Sequence, residues 1–284
     1  MAQLFNEWGV RYIKIDGCGP GSGDQLSPHL APDCRQVLLM MGRAFRRHDI
    51  WVEVSWYLDP GYADEWAIIA NGARVYIDIE SYSTRTMTST TRMLDRFQHV
   101  VPWIAKRAVL GHRSGFYLDL DAVLVGMTTP WNGRCIDGLD SDAVRRTYIS
   151  FWALVSSVFC IGADPRLLPD KYIAMLHHPD VLDIHQSGVV AVPLPFSDPW
   201  HFCQVWYKAL DNVVCVGLFN TAYYPLVSMS WLDLEVRFAL ADVGIAGNAR
   251  AKDVWTGSDL GLVHGAYSTR LAPGACQLVL LSPL

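Results

Sequence analysis

YIKIDGCGPGSG, residues 12–23, sets a lysine and an aspartate into a run of isoleucines and then breaks into glycine. Side chains alternate faces along a strand, so Lys14 and Asp16 share one face while Ile13 and Ile15 take the other. An unpaired charge is costly to bury. The charged face must therefore meet water, other charges or a polar ligand. The glycines at 17, 19, 21 and 23 fit a βα loop in which backbone approaches a ligand. They lack both the G-x-G-x-x-G spacing and the G-K-[ST] ending of phosphate loops.

The same grammar recurs twice. In RVYIDIE, residues 74–80, Asp78 and Glu80 alternate with Ile77 and Ile79. In FYLDLDAV, residues 116–123, Asp119 and Asp121 alternate with Leu118 and Leu120. Read as strands, all three runs end in carboxylates on one face. Each carboxylate taken singly is equally well a helix cap or a strand-end ion pair. Three strands with one pattern, one carrying a lysine, point instead to a shared pocket.

The surrounding chain predicts strands at 10–16, 50–55, 73–79, within 116–125, and at 158–162. Helical patterns fall between them at 33–47, 62–70, 88–106 and 141–157, the last with Ser141 as N-cap. A further helix near 170–177 and HPDVLDIHQ (178–186) follow. Strand–helix alternation with apolar strands predicts a parallel α/β sheet or barrel. In such folds ligands bind outside the carboxyl ends of the strands.

The texture changes after about residue 188. VVAVPLPFSDP (189–199) reads as a linker or a first edge strand. Strand-like runs follow at 201–207, 212–219, 233–239, 251–255 and 275–281, separated by turn signals. They predict a small antiparallel sandwich. The expected fold class is thus α/β: about five strand–helix units of a partial (β/α) barrel over 1–187, then a C-terminal β-sandwich over 188–284.

Composition bounds the function. Of 284 residues, 51% are apolar and 18% charged, which suits a large core and not a disordered chain. A net charge of −5 gives no footprint for nucleic acid. No run is long and apolar enough to span a membrane, and MAQLFNEWGVRYIKID has no signal-peptide pattern. Seven cysteines form no C-x-x-C, so a zinc ribbon or thioredoxin site is not expected. His177, His178 and His185 lack i,i+4 spacing, and no D-x-D-x-D-G loop occurs, so neither a metal nor another cofactor is expected. Clustered Asp and Glu leave Mg²⁺ or Ca²⁺ as a competing reading. A Ser–His–Asp hydrolase would need G-x-S-x-G, of which GSG at 21–23 is a fragment.

Two opposed carboxylates are the equipment of glycoside hydrolysis: one attacks the anomeric carbon and the other protonates the leaving oxygen. An ammonium beside the attacking group keeps it ionised, and Lys14 is placed for that beside Asp16.

The motifs in order resemble the family-27 glycoside hydrolases, the clan of α-galactosidases and α-N-acetylgalactosaminidases. WGVRYIKIDGC (8–18) resembles the nucleophile strand, RVYIDIESYS (74–83) the acid/base strand and YLDLDAVLVG (117–126) an aspartate–proline–aspartate segment, with leucine for the proline. FWALVSSVFCIGADPR, HHPDVLDIHQ and AKDVWTGSDLG resemble the last barrel helix and strand, the closing helix and a late sandwich motif. The resemblance implies a retaining glycosidase in which Asp16 is the nucleophile and Asp78 the acid/base. It implies sugar contacts from Lys14, Arg74, Ser55, Trp56, Cys18, Asp119 and Asp121, with an oligosaccharide or glycoconjugate as substrate. It also implies a secreted or lysosomal/vacuolar setting.

Two departures qualify the expectation. The family barrel has eight strands and this sequence shows five, as if the first three, with the usual signal peptide and the usual disulfide partner of Cys18, lay outside it. A silent remnant or sugar-binding chain is the corresponding alternative. Second, Ser55 precedes Trp56 as in the N-acetylgalactosaminidases, whereas bulky Leu58 follows as in the galactosidases. This mixed pair leaves N-acetylgalactosaminides and the isomaltose-releasing members of the family as specificity alternatives.

Overall fold

The computed structural model describes residues 1–17, 35–55, 58–83, 85–106, 110–111, 114–129, 135–195, 202–223 and 232–284. In chain order the first elements are α1 (Ala2–Glu7), β1 (Tyr12–Ile15), α2 (Arg35–Arg46), β2 (Trp51–Val54), α3 (Ala63–Ile69) and β3 (Gly72–Arg74). Then come α4 (Thr90–His99), α5 (Val101–Ile104), β4 (Tyr117–Asp119), β5 (Thr128–Thr129) and β6 (Cys135–Ile136). Helices α6 (Asp142–Val155), α7 (Asp170–Leu176) and α8 (Pro179–Gln186) follow. The last strands are β7 (Val192–Pro193), β8 (Cys203–Ala209), β9 (Val214–Asn220), β10 (Leu234–Ala239), β11 (Ala249–Asp253), β12 (Asp259–Val263), β13 (Ala266–Leu271) and β14 (Cys276–Pro283).

The chain divides into two compact units, Met1–Asp78 with His99–Asp121, and Ile79–Gln98 with Ala122–Leu284. The first unit is built on a parallel sheet in the order β1-β2-β3-β4. One face is apolar: Val52, Val54, Ala73 and Leu118 are fully buried. Helix α2 packs on β2 and on α3, and Leu38, Phe45, Trp66 and Ile69 supply the helical side of this core. The two helices approach so closely that a Cβ on Gly42 would meet the Ile69 carbonyl oxygen at 2.2 Å, which only glycine avoids. Arg46 seals the end of α3 by donating to the carbonyls of Ala67, Ile68 and Ala70.

The second unit holds an antiparallel sheet in the order β12-β11-β14-β9-β8-β7 and a two-stranded β10–β13 ribbon. Alternating inward residues such as Val205, Val216, Val236, Val279 and Leu281 make its core. Helix α6 packs on β8, β9, β14 and α8. A Cβ on Gly217 would meet Leu154 Cδ1 at 2.4 Å, so α6 lies directly over β9. Phe97, Phe151, Trp206 and Phe219 form an aromatic cluster beneath it. Ser141 caps α6 as expected, its hydroxyl accepting from the Val144 N–H at 3.2 Å.

Partial barrel strands followed by a sandwich are thus present, with corrections in detail. The strand expected over 73–79 stops at Arg74, and the one expected within 116–125 stops at Asp119. The 158–162 run forms only a single bridge, Val123 to Ile161. The 88–106 helix is two helices; Pro102, lacking an N–H, sits in the first turn of α5. Strands β12 and β13 escape the sequence reading because Gly261 and the polar run Ser268–Arg270 dilute the strand pattern. The linker reading of 189–199 becomes an edge strand, β7. Among the described residues no helix is long and apolar enough to cross a membrane, and Cys203, Cys215 and Cys276 are free thiols.

Candidate active site at the strand ends

Neighbours in register on a parallel sheet point the same way. Lys14 is paired with Glu53, Glu53 with Gly72 and Gly72 with Tyr117. One step further along the strands, Arg74 is paired with Asp119, and the Ser55 N–H bonds to the Ile15 carbonyl. Tyr12, Lys14, Trp51, Glu53, Arg74 and Asp119 therefore share the face opposite the apolar core, and the chain carries Asp16 and Ser55 past the same strand ends. Gly72 keeps this face open for Trp51, whose ring would stand 2.4 Å from a Cβ there.

Arg74 is the hub of the site. Its Nε donates to Asp119 Oδ2 at 3.0 Å, and its Nη1 donates to Asp78 Oδ1 at 3.0 Å and to Asp121 Oδ2. Burial works against the guanidinium charge, but Asp119 and Asp121 outweigh it and hold Arg74 protonated beyond an ordinary arginine. The three carboxylates differ in access: the Asp78 side chain is 49% exposed, that of Asp121 3%. Asp121 is a non-glycine residue at φ 90°, a left-handed conformation that costs energy, and its N–H donates to Asp119 Oδ1 at 2.8 Å.

The expected alternation of Asp78 and Glu80 along a strand is corrected here. Asp78 lies four residues past Arg74 in irregular backbone and meets it by an ion pair across that turn. Asp16 and Lys14 lie at the exposed end of β1, and Ser55 is buried past β2. Arg74, Asp78, Asp119 and Asp121 are thus joined directly; Lys14, Asp16 and Ser55 are brought to the same strand ends by the sheet register. Cys18 and Trp56, with the glycine-rich run that begins at Cys18, lie outside the described residues.

Glu53 belongs to the site and was missed. It is 1% exposed, its Oε2 accepts from the Tyr12 hydroxyl at 2.5 Å, and its Oε1 has no donor. Burial first, and then the Asp119 charge, push its pKa up to about 9 against the pull of Tyr12 and Arg74. The signal was present in WVEV, where an acid stands between two valines, but one charge in a short apolar run reads as a strand edge.

Residues 201–281 match the family model described as the α-galactosidase C-terminal β-sandwich domain. Along 99% of its length the chain is 27% identical to an α-galactosidase of Cyamopsis tetragonoloba and covers 60% of that protein. It is 24% identical to a probable α-galactosidase B of Neosartorya fischeri, over 95% of the chain and 66% of the relative. Among solved structures, a β-L-arabinopyranosidase of glycoside hydrolase family 27 from Geobacillus stearothermophilus superposes with a TM-score of 0.80 at 22% identity, covering 99% of this chain and 60% of that one. The α-galactosidase of Saccharomyces cerevisiae gives a TM-score of 0.72 at 18% identity, covering 100% and 74%. These likenesses are of fold. The chain spans about 60% of the first curated relative's length.

Proposed function

We propose that the chain is a family-27 glycoside hydrolase and supplies the two carboxylates of a retaining glycosidase acting on terminal α-galactosides. Asp16 attacks the anomeric carbon while Asp78 gives a proton to the leaving oxygen. Asp78 then takes a proton from water, whose oxygen displaces Asp16 from the sugar. Lys14, Arg74, Ser55, Trp56, Cys18, Asp119 and Asp121 are the sugar-binding set. The substrate class rests on relatives named α-galactosidases.

The observation that carries this reading is the Arg74 hub. It holds Asp78, the most exposed of its three carboxylates, at the carboxyl end of a parallel sheet whose first strand ends at Ile15, one residue before Asp16. Asp78 shares Arg74 with Asp119 and Asp121, and its half-exposed carboxylate is open to exchange a proton with a substrate oxygen.

The test is Asp16→Asn and Asp78→Asn in the chain, assayed on an aryl α-galactoside. Loss of turnover by at least about 10³-fold with an unchanged unfolding profile is expected. An experimental structure should place the two carboxyl groups roughly 5–5.5 Å apart. Normal turnover in Asp16→Asn, or carboxyl groups facing apart, overturns the mechanism. A second reading, sugar binding without turnover, is favoured by the chain's covering 60% of its relative; galactose titration alongside the assay separates the two.

A further inference from the structure

Among the described residues, Glu53 is the one buried acid on the sheet's charged face that the proposed chemistry leaves unused. From β1 it faces Tyr12 and its register partner Lys14; from β3 and β4 it faces Arg74, Tyr117 and Asp119. Its carboxyl lies within hydrogen-bonding reach of the Asp119 carboxyl. Two carboxylates have only lone pairs to offer each other, so a bond between them requires a proton on one. Asp119 is the unsuitable carrier: its Oδ2 accepts from Arg74 and its Oδ1 accepts from the Asp121 N–H. Glu53 Oε2 is likewise occupied, accepting from Tyr12. Glu53 Oε1, buried and without a donor, is the remaining position for the proton.

We propose that Glu53 is a positioning residue, held as the neutral acid, whose Oε1–H donates to Asp119 and fixes that carboxylate against Arg74, the residue that carries Asp78. The arrangement gives the site a fixed proton inventory. One arginine meets three carboxylates, and a fourth charged acid behind them would be uncompensated. Tyr12, stacked on Trp51 with ring centroids 5.3 Å apart, holds the other oxygen and so sets which one bears the proton. The catalytic consequence rests on the hydrolase reading; the protonation does not.

The experiment compares wild type with Glu53→Gln and Glu53→Ala. The carboxamide keeps one donor and one acceptor on a planar group and cannot titrate. An infrared carbonyl band of a protonated carboxyl at pH 7 is expected in the wild type and absent from Glu53→Gln. Folding linkage supplies a second readout. A carboxyl whose pKa is raised on folding stabilises fully below its unfolded value, near 4.5, and that contribution fades as pH rises toward about 9. The Tm advantage of Glu53→Gln over wild type should therefore widen by at least about 5 °C between pH 5 and pH 9. Turnover should stay within about threefold of wild type at pH 5 in Glu53→Gln and fall at least about tenfold in kcat, with KM little changed, in Glu53→Ala. No lost infrared band, or a Tm difference flat with pH, overturns the proposal, as does full kcat in a folded Glu53→Ala. A wild-type chain without turnover counts against the hydrolase reading alone, because the band and the Tm profile still decide the state of Glu53.

Discussion

Arg74 in the first unit and Lys208 in the second are both buried cations, and their partners could hardly differ more. Arg74 meets three carboxylates, one of them half-exposed. Lys208, 2% exposed, meets only neutral oxygens: the carbonyls of Ala153, Ile184 and Val189 at 2.9, 2.6 and 3.0 Å and the Ser156 hydroxyl at 3.1 Å. Ala153 and Ile184 lie in the last turns of α6 and α8, where unpaired carbonyls give a helix its negative end. Burial pushes the Lys208 ammonium down to about 7, and those oxygens are what oppose the loss of its proton. The lysine ties down helix ends and leaves nothing facing water. The arginine gathers more negative charge than it neutralises and leaves one carboxylate accessible. On the function proposed above, Lys208, with neutral and enclosed partners, is scaffold, and Arg74, with acidic partners of which one is open, is part of the reactive site.

Three substitutions try that contrast. Arg74→Met has the largest expected effect: it strands three carboxylates, and turnover on an aryl α-galactoside should drop by at least about 10³-fold. Stability should fall by about 3–5 kcal/mol in urea unfolding, the cost of an uncompensated buried charge. Retained turnover in this variant would remove the reason for calling the hub reactive. Lys208→Met comes next. It takes one charged donor from each of four oxygens and should cost about 1.5–3 kcal/mol by the same measurement, while the folded fraction turns over at the wild-type rate. A turnover defect at unchanged stability would break the contrast from the other side. Ser141→Ala sharpens it most gently, by removing the α6 cap for about 1 kcal/mol. Thermal unfolding should register that loss with no change in KM, setting the scale of a purely local defect in the second unit.

How much was legible beforehand depended on whether the signal was local. The Ser141 cap, the α2 and α6 helices and most sandwich strands follow from patterns confined to a few neighbouring residues. The recognition of Asp119 and Asp121 as polar groups in apolar surroundings was likewise local, whereas Arg74 came only from the family resemblance. The strand lengths were not. Alternation in RVYIDIE continues past Arg74 in sequence, yet the strand ends there, and the Arg74 side chain bonds to Asp78, Asp119 and Asp121 beyond it. Glu53 shows the opposite failure. One acid in WVEV gives no hint of its importance, which comes from Tyr12, 41 positions earlier, and from Asp119 across the sheet.

From the residues alone came the order of strand and helix, the change of texture near residue 188, and the choice of which acids stand at strand ends, since these depend on side-chain period and turn chemistry along the chain. The register of β1 to β4 decided the rest. Bringing Tyr12, Glu53, Arg74 and Asp119 onto one face makes an ion-pair hub and a candidate proton site. No single strand contains that information, because charge balance and burial are properties of groups that meet only after the sheet has formed.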